Sequence, residues 1–225
     1  MGADGVGFKV IGWDASSPIL TVGYTEDGRM LAERSARLPR QAGSQLTAWI
    51  DEQVREFGRP DAIAVGIGPG SFTGVRVAVT AAKALAWSWR VPVKGVSSLA
   101  AWARRREPGQ RVLVTSERRG PALYLGYYWV GASGPEPLML DTAVSGVLPD
   151  GFPITEDAWV LGPAAEDAEL RARLGARLRP ALDGLSGIDI AIQGWHALQW
   201  GQADDPLLLA PAYLRPPAIH GRQMR

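Results

Sequence analysis

Short β-branched or alternating runs mark the first part of the chain, at Phe8–Trp13, Ile19–Tyr24 and Arg29–Arg34, divided by Ser16-Ser17-Pro18 and Asp27-Gly28. Runs of this length between turn-forming residues predict three strands in an antiparallel meander. Beyond the loop Pro39–Gly43 the period changes. Leu46, Trp49, Ile50, Val54 and Phe57 recur at helical spacing, with Ser44 placed to cap the helix and Gly58 and Pro60 to stop it. Ala62–Gly66 reads as a buried strand, Val75–Trp89 as an Ala-rich helix, Val93–Val96 as another strand and Leu99–Arg105 as another helix. The order β-β-β-α-β-α-β-α describes an α/β lobe whose antiparallel start converts to parallel crossovers.

The charged stretch Arg104-Arg105-Arg106-Glu107, closed by Pro108-Gly109, predicts a boundary. Strands Arg111–Ser116 and Ala122–Val130 around the turn Arg118-Arg119-Gly120-Pro121 then partly repeat the opening of the chain. The stretch 131–162 is rich in Gly and Pro, with short strand candidates such as Trp159–Leu161. Glu166–Leu178 is expected to be helical, as is Ile188–Trp200 after Gly187, and the prolines of Pro211–Pro217 predict an extended tail. The expected division is residues 1–109 as a first lobe, 110–187 as a second, reduced lobe, and 188–225 as a helix and tail returning to the first lobe.

Composition narrows the function. Lys and Arg number 24 against 23 Asp and Glu, a net charge of +1, which argues against bulk attraction to polyanions. Hydrophobic residues make up 46% and charged ones 21%, enough for a sizeable core. With no cysteine and only two histidines, His196 and His220, neither a thiolate nor a His-rich metal centre is expected. Neither Gly-x-Ser-x-Gly nor a Gly-x-x-x-x-Gly-Lys-Ser/Thr phosphate loop occurs. The opening Met1–Gly5 lacks the features of a signal peptide and no apolar run approaches bilayer length, so the expected location is cytoplasmic. Trp13, Trp49 and Trp159 lie in apolar patterns and are expected in the core. The Arg104–Arg106 and Arg118-Arg119 clusters are expected as solvated loops, and His196 as a half-exposed helix residue.

The segment with most chemical content is Gly68-Pro69-Gly70-Ser71-Phe72-Thr73-Gly74, where a strand hands over to a helix. Glycines there permit close approach by a phosphate or by another backbone, and Ser71 or Thr73 can cap the helix or bind an anion. Spacing alone leaves both readings open. The start resembles a dinucleotide fingerprint, but the following strand Val93–Val96 brings no acidic residue.

The full string, continued through Val75-Arg76, closely resembles the signature of the bacterial TsaB (YeaZ) family, the small subunit of the machinery that makes threonylcarbamoyladenosine in tRNA. Trp13-Asp14-Ala15-Ser16 resembles that family's Asp-Thr-Ser, Val96-Ser97-Ser98-Leu99 its Gly-Val-Ser-Ser-Leu, and Pro211-Ala212-Tyr213-Leu214-Arg215 its Pro-x-Tyr-Leu-Arg. The resemblance implies a two-lobed actin-like ATPase fold, each lobe starting from a β-β-β-α-β-α unit and the second lobe reduced. It also implies no cofactor, no bound metal and no catalytic residue of its own. The chain departs from the pattern in having Gly43-Ser44 for a His-Ser pair and Ser116-Glu117-Arg118 for an Asp-Ala-Arg. Asp14 is then the residual phosphate-turn carboxylate. The catalytic sister family, TsaD, carries a His-x-x-x-His metal pair where Ser98 and Trp102 stand.

The implied role is a non-catalytic subunit that binds and stabilises a TsaD-like catalytic subunit, alongside a TsaE-like ATPase, touching tRNA only indirectly and pairing with itself when alone. On the second helix Arg76, Thr80 and Lys83 form a polar stripe, with Val77, Ala81 and Ala84 on one flank and Val75, Val79, Ala82 and Ala86 on the other. Two apolar flanks need two covers. The residues expected to bind the partner are Leu46, Trp49 and Ile50 of the first helix and Val77, Thr80, Ala81 and Ala84 of the second. The rival reading is a stand-alone kinase of small molecules with the same fold.

Overall fold

The computed structural model describes residues 7–38, 42–117, 122–145, 154–155, 157–163, 172 and 184–215. Its first sheet has β1 (Lys9–Asp14), β2 (Ile19–Glu26), β3 (Arg29–Arg37), β4 (Ala62–Gly66) and β5 (Val93–Val96) in the order β3-β2-β1-β4-β5. The first three are antiparallel neighbours; β4 runs parallel to β1 and β5 parallel to β4. The β2–β3 turn has positive φ at Asp27 (48°) and Gly28 (73°), a primed turn that suits the strand twist.

The second sheet holds β6 (Arg111–Thr115), β7 (Ala122–Gly131), β8 (Gly134–Ser145) and β9 (Trp159–Leu161), ordered β8-β7-β6-β9 with β9 parallel to β6. It thus repeats the first four strands of the first sheet: an antiparallel meander with a parallel neighbour added beside its opening strand.

Helices α1 (Ala42–Phe57) and α2 (Phe72–Trp89) cover one face of the first sheet, and α4 (Gly187–Gln199) lies across the other. With the short α3 (Ser98–Ala103), α4 fills the space between the two sheets. Alternate residues of β1 and β4 serve the two sides. Ile11, Trp13, Ile63 and Val65 meet α1 and α2, while Val10, Ala62 and Ala64 meet Leu99, Trp102, Ile190 and the second sheet's Val112 and Val114. Burial on both faces explains why these strands read as continuous apolar runs.

Several boundaries differ from expectation. Helix α1 begins at Ala42, so Ser44 sits in its first turn instead of capping it. Helix α2 begins at Phe72, capped by Ser71, whose side chain accepts from the Gly74 N–H. Strand β8 is far longer than the short candidates expected in that stretch; as an edge strand it tolerates Pro135 and Pro137, because their missing N–H groups are not needed by a second neighbour. Arg104–Arg106 are half-buried, not solvated: Arg105 pairs with Asp189 at 2.8 Å and Arg106 lies over the Trp159 ring. The expected helix Glu166–Leu178, the Arg118–Pro121 turn, Pro216-Pro217 and His220 lie outside the described residues, Ala172 excepted.

Candidate functional site: the apex of the first sheet

The C-terminal ends of β1, β4 and β5 converge at one apex, the crevice where parallel α/β sheets place their functional groups. Asp14, the last residue of β1, is fully buried there. One of its carboxylate oxygens accepts from the backbone N–H and the hydroxyl of Ser16, each at 2.7 Å, and the other accepts from the Ser98 hydroxyl. Ser98 in turn accepts from the Gly68 N–H at 3.1 Å. Burial pushes the Asp14 carboxyl above the usual carboxylate range, although the serine hydrogen bonds pull the other way. A carboxylate so enclosed is a structural acceptor within its own lobe.

The Gly68–Gly74 segment wraps this apex. The Ser71 N–H donates to the Ser16 carbonyl, and a Cβ on Gly70 or Gly74 would run into the backbone of Ser16 or Ala15 respectively. The two open readings of the motif are thereby separated, since these glycines admit the β1–β2 turn of the same chain. Neither has a positive φ, so close approach, not left-handed backbone, requires them.

The outer side of the motif is covered by the C-terminal segment. Phe72 and Tyr213 rings lie 5.1 Å apart, the Arg76 guanidinium sits 3.9 Å above the Phe72 ring, and Arg76 Nε donates to the Tyr213 hydroxyl at 2.7 Å. Ala212 N–H donates to the Ile67 carbonyl at 2.8 Å. Lower down, Lys83 Nζ donates to the carbonyls of Leu207 and Leu209, and Asp204 binds the exposed edge of β5 through Val93, Lys94 and Gly95. Two of the polar residues on the α2 stripe, Arg76 and Lys83, are therefore used by the chain's own tail. Sequence spacing did not reveal this, because the partners lie more than a hundred residues apart.

The residues expected on the partner-binding face divide. Leu46, Trp49 and Ile50 are 0%, 9% and 3% exposed and belong to the first lobe's core, so the apolar face of α1 is covered by its own sheet. On α2 the flank Val75, Val79, Ala82 and Ala86 is buried, Thr80 and Ala84 are exposed and Val77 and Ala81 are half-buried. The sequence reading overlooked Trp87, which continues this outer face at 71% exposure. Of the tryptophans expected inside, Trp13 and Trp49 are buried and Trp159 is half-buried. His196 is half-buried, and burial together with nearby Arg104 lowers its pKa. The Ser116 hydroxyl accepts from Tyr124 N–H and donates to the Glu117 carbonyl, a purely local role. Among the described residues no group of three or more His, Cys, Asp or Glu side chains is arranged to hold a metal, and no helix is long and apolar enough to cross a membrane.

Two lobes that repeat one strand order, with their active-site-like apex at the ends of parallel strands, define a protein of the actin-like ATPase fold class. Residues 40–133 match the family described as TsaD: tRNA N6-adenosine threonylcarbamoyltransferase. The chain is 47% identical over 68 residues to the tRNA threonylcarbamoyladenosine biosynthesis protein TsaB of Bacillus subtilis, a match covering 29% of each chain. It spans less than a third of that relative's length. An uncharacterised protein of Mycobacterium tuberculosis is 30% identical over 214 residues, 92% of both chains. A crystal structure from Pseudomonas aeruginosa, described as an uncharacterised protein with similarity to peptidase YEAZ, superposes with a TM-score of 0.77 at 25% identity, covering 92% of this chain and all of that one. The chain belongs to the TsaB (YeaZ) family, as its motifs implied.

Proposed function

We propose that this protein is a non-catalytic subunit of the tRNA threonylcarbamoyladenosine machinery, which binds and stabilises a TsaD-like catalytic subunit through the outer face of α2. The observation that carries this reading is the asymmetry of α2. One flank is sealed against its own sheet, whereas Thr80, Ala84 and Trp87 face outward with Val77 and Ala81 at the margin. Small residues let a second helix approach closely, and an exposed tryptophan is the kind of anchor around which interfaces form. The exposed side of α1, with Ser44, Thr47 and Ala48, forms the adjoining part of the contact in place of Leu46, Trp49 and Ile50.

The apex supports the non-catalytic half of the reading. At the positions where the TsaD family carries its histidine pair, Ser98 is committed to Asp14 and Trp102 is 8% exposed in the core between the sheets. Neither side chain replaces an imidazole ligand. A TsaE-like ATPase supplies nucleotide turnover to the complex, tRNA is reached through the catalytic subunit, and the protein works in the cytoplasm. Alone, it pairs with itself through the same outer face.

The test is affinity purification of the tagged protein from its own cells, with the native chain and Ala84→Arg compared. The native chain should retain a TsaD-like protein, and Ala84→Arg should lose it while keeping its circular dichroism spectrum. Ala82→Arg, at a buried position of the same helix, should unfold the protein. Recovery of no TsaD-like chain by the native protein, or undiminished recovery by a folded Ala84→Arg, overturns the reading.

A further inference from the structure

We propose that the dipeptide Ser97-Ser98 is an inter-lobe latch, in which two consecutive hydroxyls donate to one carboxylate from each lobe, the buried Asp14 and the half-buried Asp141, and so fix the angle between the two sheets without any bound ligand. The dipeptide stands where the chain leaves β5 of the first lobe and enters α3, on its way to β6 of the second. Ser98 donates to Asp14 at the end of β1, and Ser97 donates to Asp141 of β8, both at 2.5 Å. Each hydroxyl has one proton, and both protons are directed by what the oxygens accept: Ser98 accepts from Gly68 N–H and Ser97 from Ala100 N–H, each at 3.1 Å.

The second-lobe carboxylate is held through both of its oxygens. One accepts from Ser97 and the other from the Tyr128 hydroxyl of β7. Adjacent residues therefore tie strands β1 and β8, from different sheets, to one short segment of backbone. The apolar layer of α3 and α4 between the sheets supplies non-directional attraction, which by itself permits sliding. Hydrogen bonds to carboxylates are directional and strong, and they select one arrangement. Arg37 with Glu117 at 3.8 Å and Arg215 with Ser145 at 3.0 Å also join the lobes, but at the surface, where water and salt weaken them, while the Gly109 N–H bond to the Val130 carbonyl and the Gly187 N–H bond to Thr21 lie at the chain crossings, away from the ends of β1 and β8. Proteins with hinged lobes usually close around a ligand; here the closing groups are built into the hinge.

The chain contains no cysteine, so two introduced cysteines can carry spin labels without background. Suitable sites are Met30, 64% exposed on β3, and Leu140, 76% exposed on β8, and an excess of unlabelled chain removes distances between paired copies. Double electron–electron resonance on the labelled protein should give one narrow distance distribution. Ser97→Gly removes the hydroxyl while leaving a residue that caps a helix nearly as well as serine, and should broaden the distribution and add a longer distance. Ser97→Thr should restore the native distribution, and Arg37→Ala should leave it unchanged. Should Ser97→Gly fail to fold, Asp141→Leu combined with Tyr128→Phe removes both partners together, avoids a carboxylate without its donors, and is read by the same outcomes. A folded Ser97→Gly or Asp141→Leu/Tyr128→Phe protein with the native narrow distribution overturns the proposal, as does failure of Ser97→Thr to restore it.

Discussion

Adding one methyl group at two glycines of this chain should move its stability in opposite directions. At Gly74, in the first turn of α2, a Cβ would overlap the carbonyl oxygen of Ala15 and lie 3.3 Å from the Ser71 Cβ. A backbone carbonyl at the end of a buried strand cannot swing aside as a flexible side chain can. The clash is relieved only by shifting the N-terminus of α2 off the β1–β2 turn, which strains the Ser71 N–H bond to Ser16 and the Ser71 cap on Gly74. Overpacking of this kind costs about 1–3 kcal/mol. A weakened cap adds about 1 kcal/mol. Together they lower the Tm of a domain this size by about 5–15 °C. At Gly43, in the first turn of α1, the nearest atom to an added Cβ is Val77 Cγ1 at 3.8 Å, an ordinary contact, and φ is not positive. Alanine there should gain about 0.5–1 kcal/mol of helix preference and raise the Tm by about 1–4 °C. Thermal melts of Gly74→Ala, Gly43→Ala and the native chain, followed by circular dichroism under one set of conditions, separate the two. A Gly74→Ala protein that melts with the native chain would refute the close-approach account of the motif.

Tyr213→Ala removes the ring against Phe72 and the acceptor for Arg76, and at a half-exposed site should cost about 1–2 kcal/mol. In a double-mutant cycle Arg76→Ala should add little to it, and full additivity of the two Tm shifts would show that they do not interact. Asp14 binds its proton more tightly in the folded chain than in the unfolded one, so its share of the stability falls as pH rises from the ordinary carboxylate value of 3.8 through the raised folded value. Asp14→Asn cannot titrate. Its Tm deficit against the native chain should therefore be larger at acid pH than at neutral pH, and a deficit that grows toward neutral pH would contradict the burial-dominated shift.

The legible and illegible parts of the chain differ for physical reasons. Ala62–Gly66 has the bounds its sequence predicts, because a strand buried in a parallel sheet carries an apolar signal that needs no context. Strand β8 does not, since an edge strand with exposed Leu138 and Leu140 and two prolines has neither alternation nor a solid apolar run. The stripe Leu46, Trp49 and Ile50 revealed an apolar helix face but not which surface covers it, and the first sheet had the prior claim. The glycine motif was legible as a strand-to-helix turn. What it encloses was not, because Ala15 and Ser16 lie more than fifty positions earlier. The Ser97–Asp141 contact, with 44 positions between its ends, is likewise visible only once both sheets are in place.

The placement of α4 and the tail has a consequence for the order in which the lobes can mature. Both are made after the second lobe, yet both complete the first: α4 covers the face of β1, β2 and β4, and Asp204 occupies the free edge of β5. While residues 111–186 leave the ribosome, the apolar face of the first sheet bearing Val10, Ala62 and Ala64 lacks its α4 cover, and the edge of β5 is unpaired. A nascent chain stalled before Gly187 therefore presents a surface suited to chaperone capture and to strand-to-strand aggregation. Translation of residues 187–204 is the step that withdraws it.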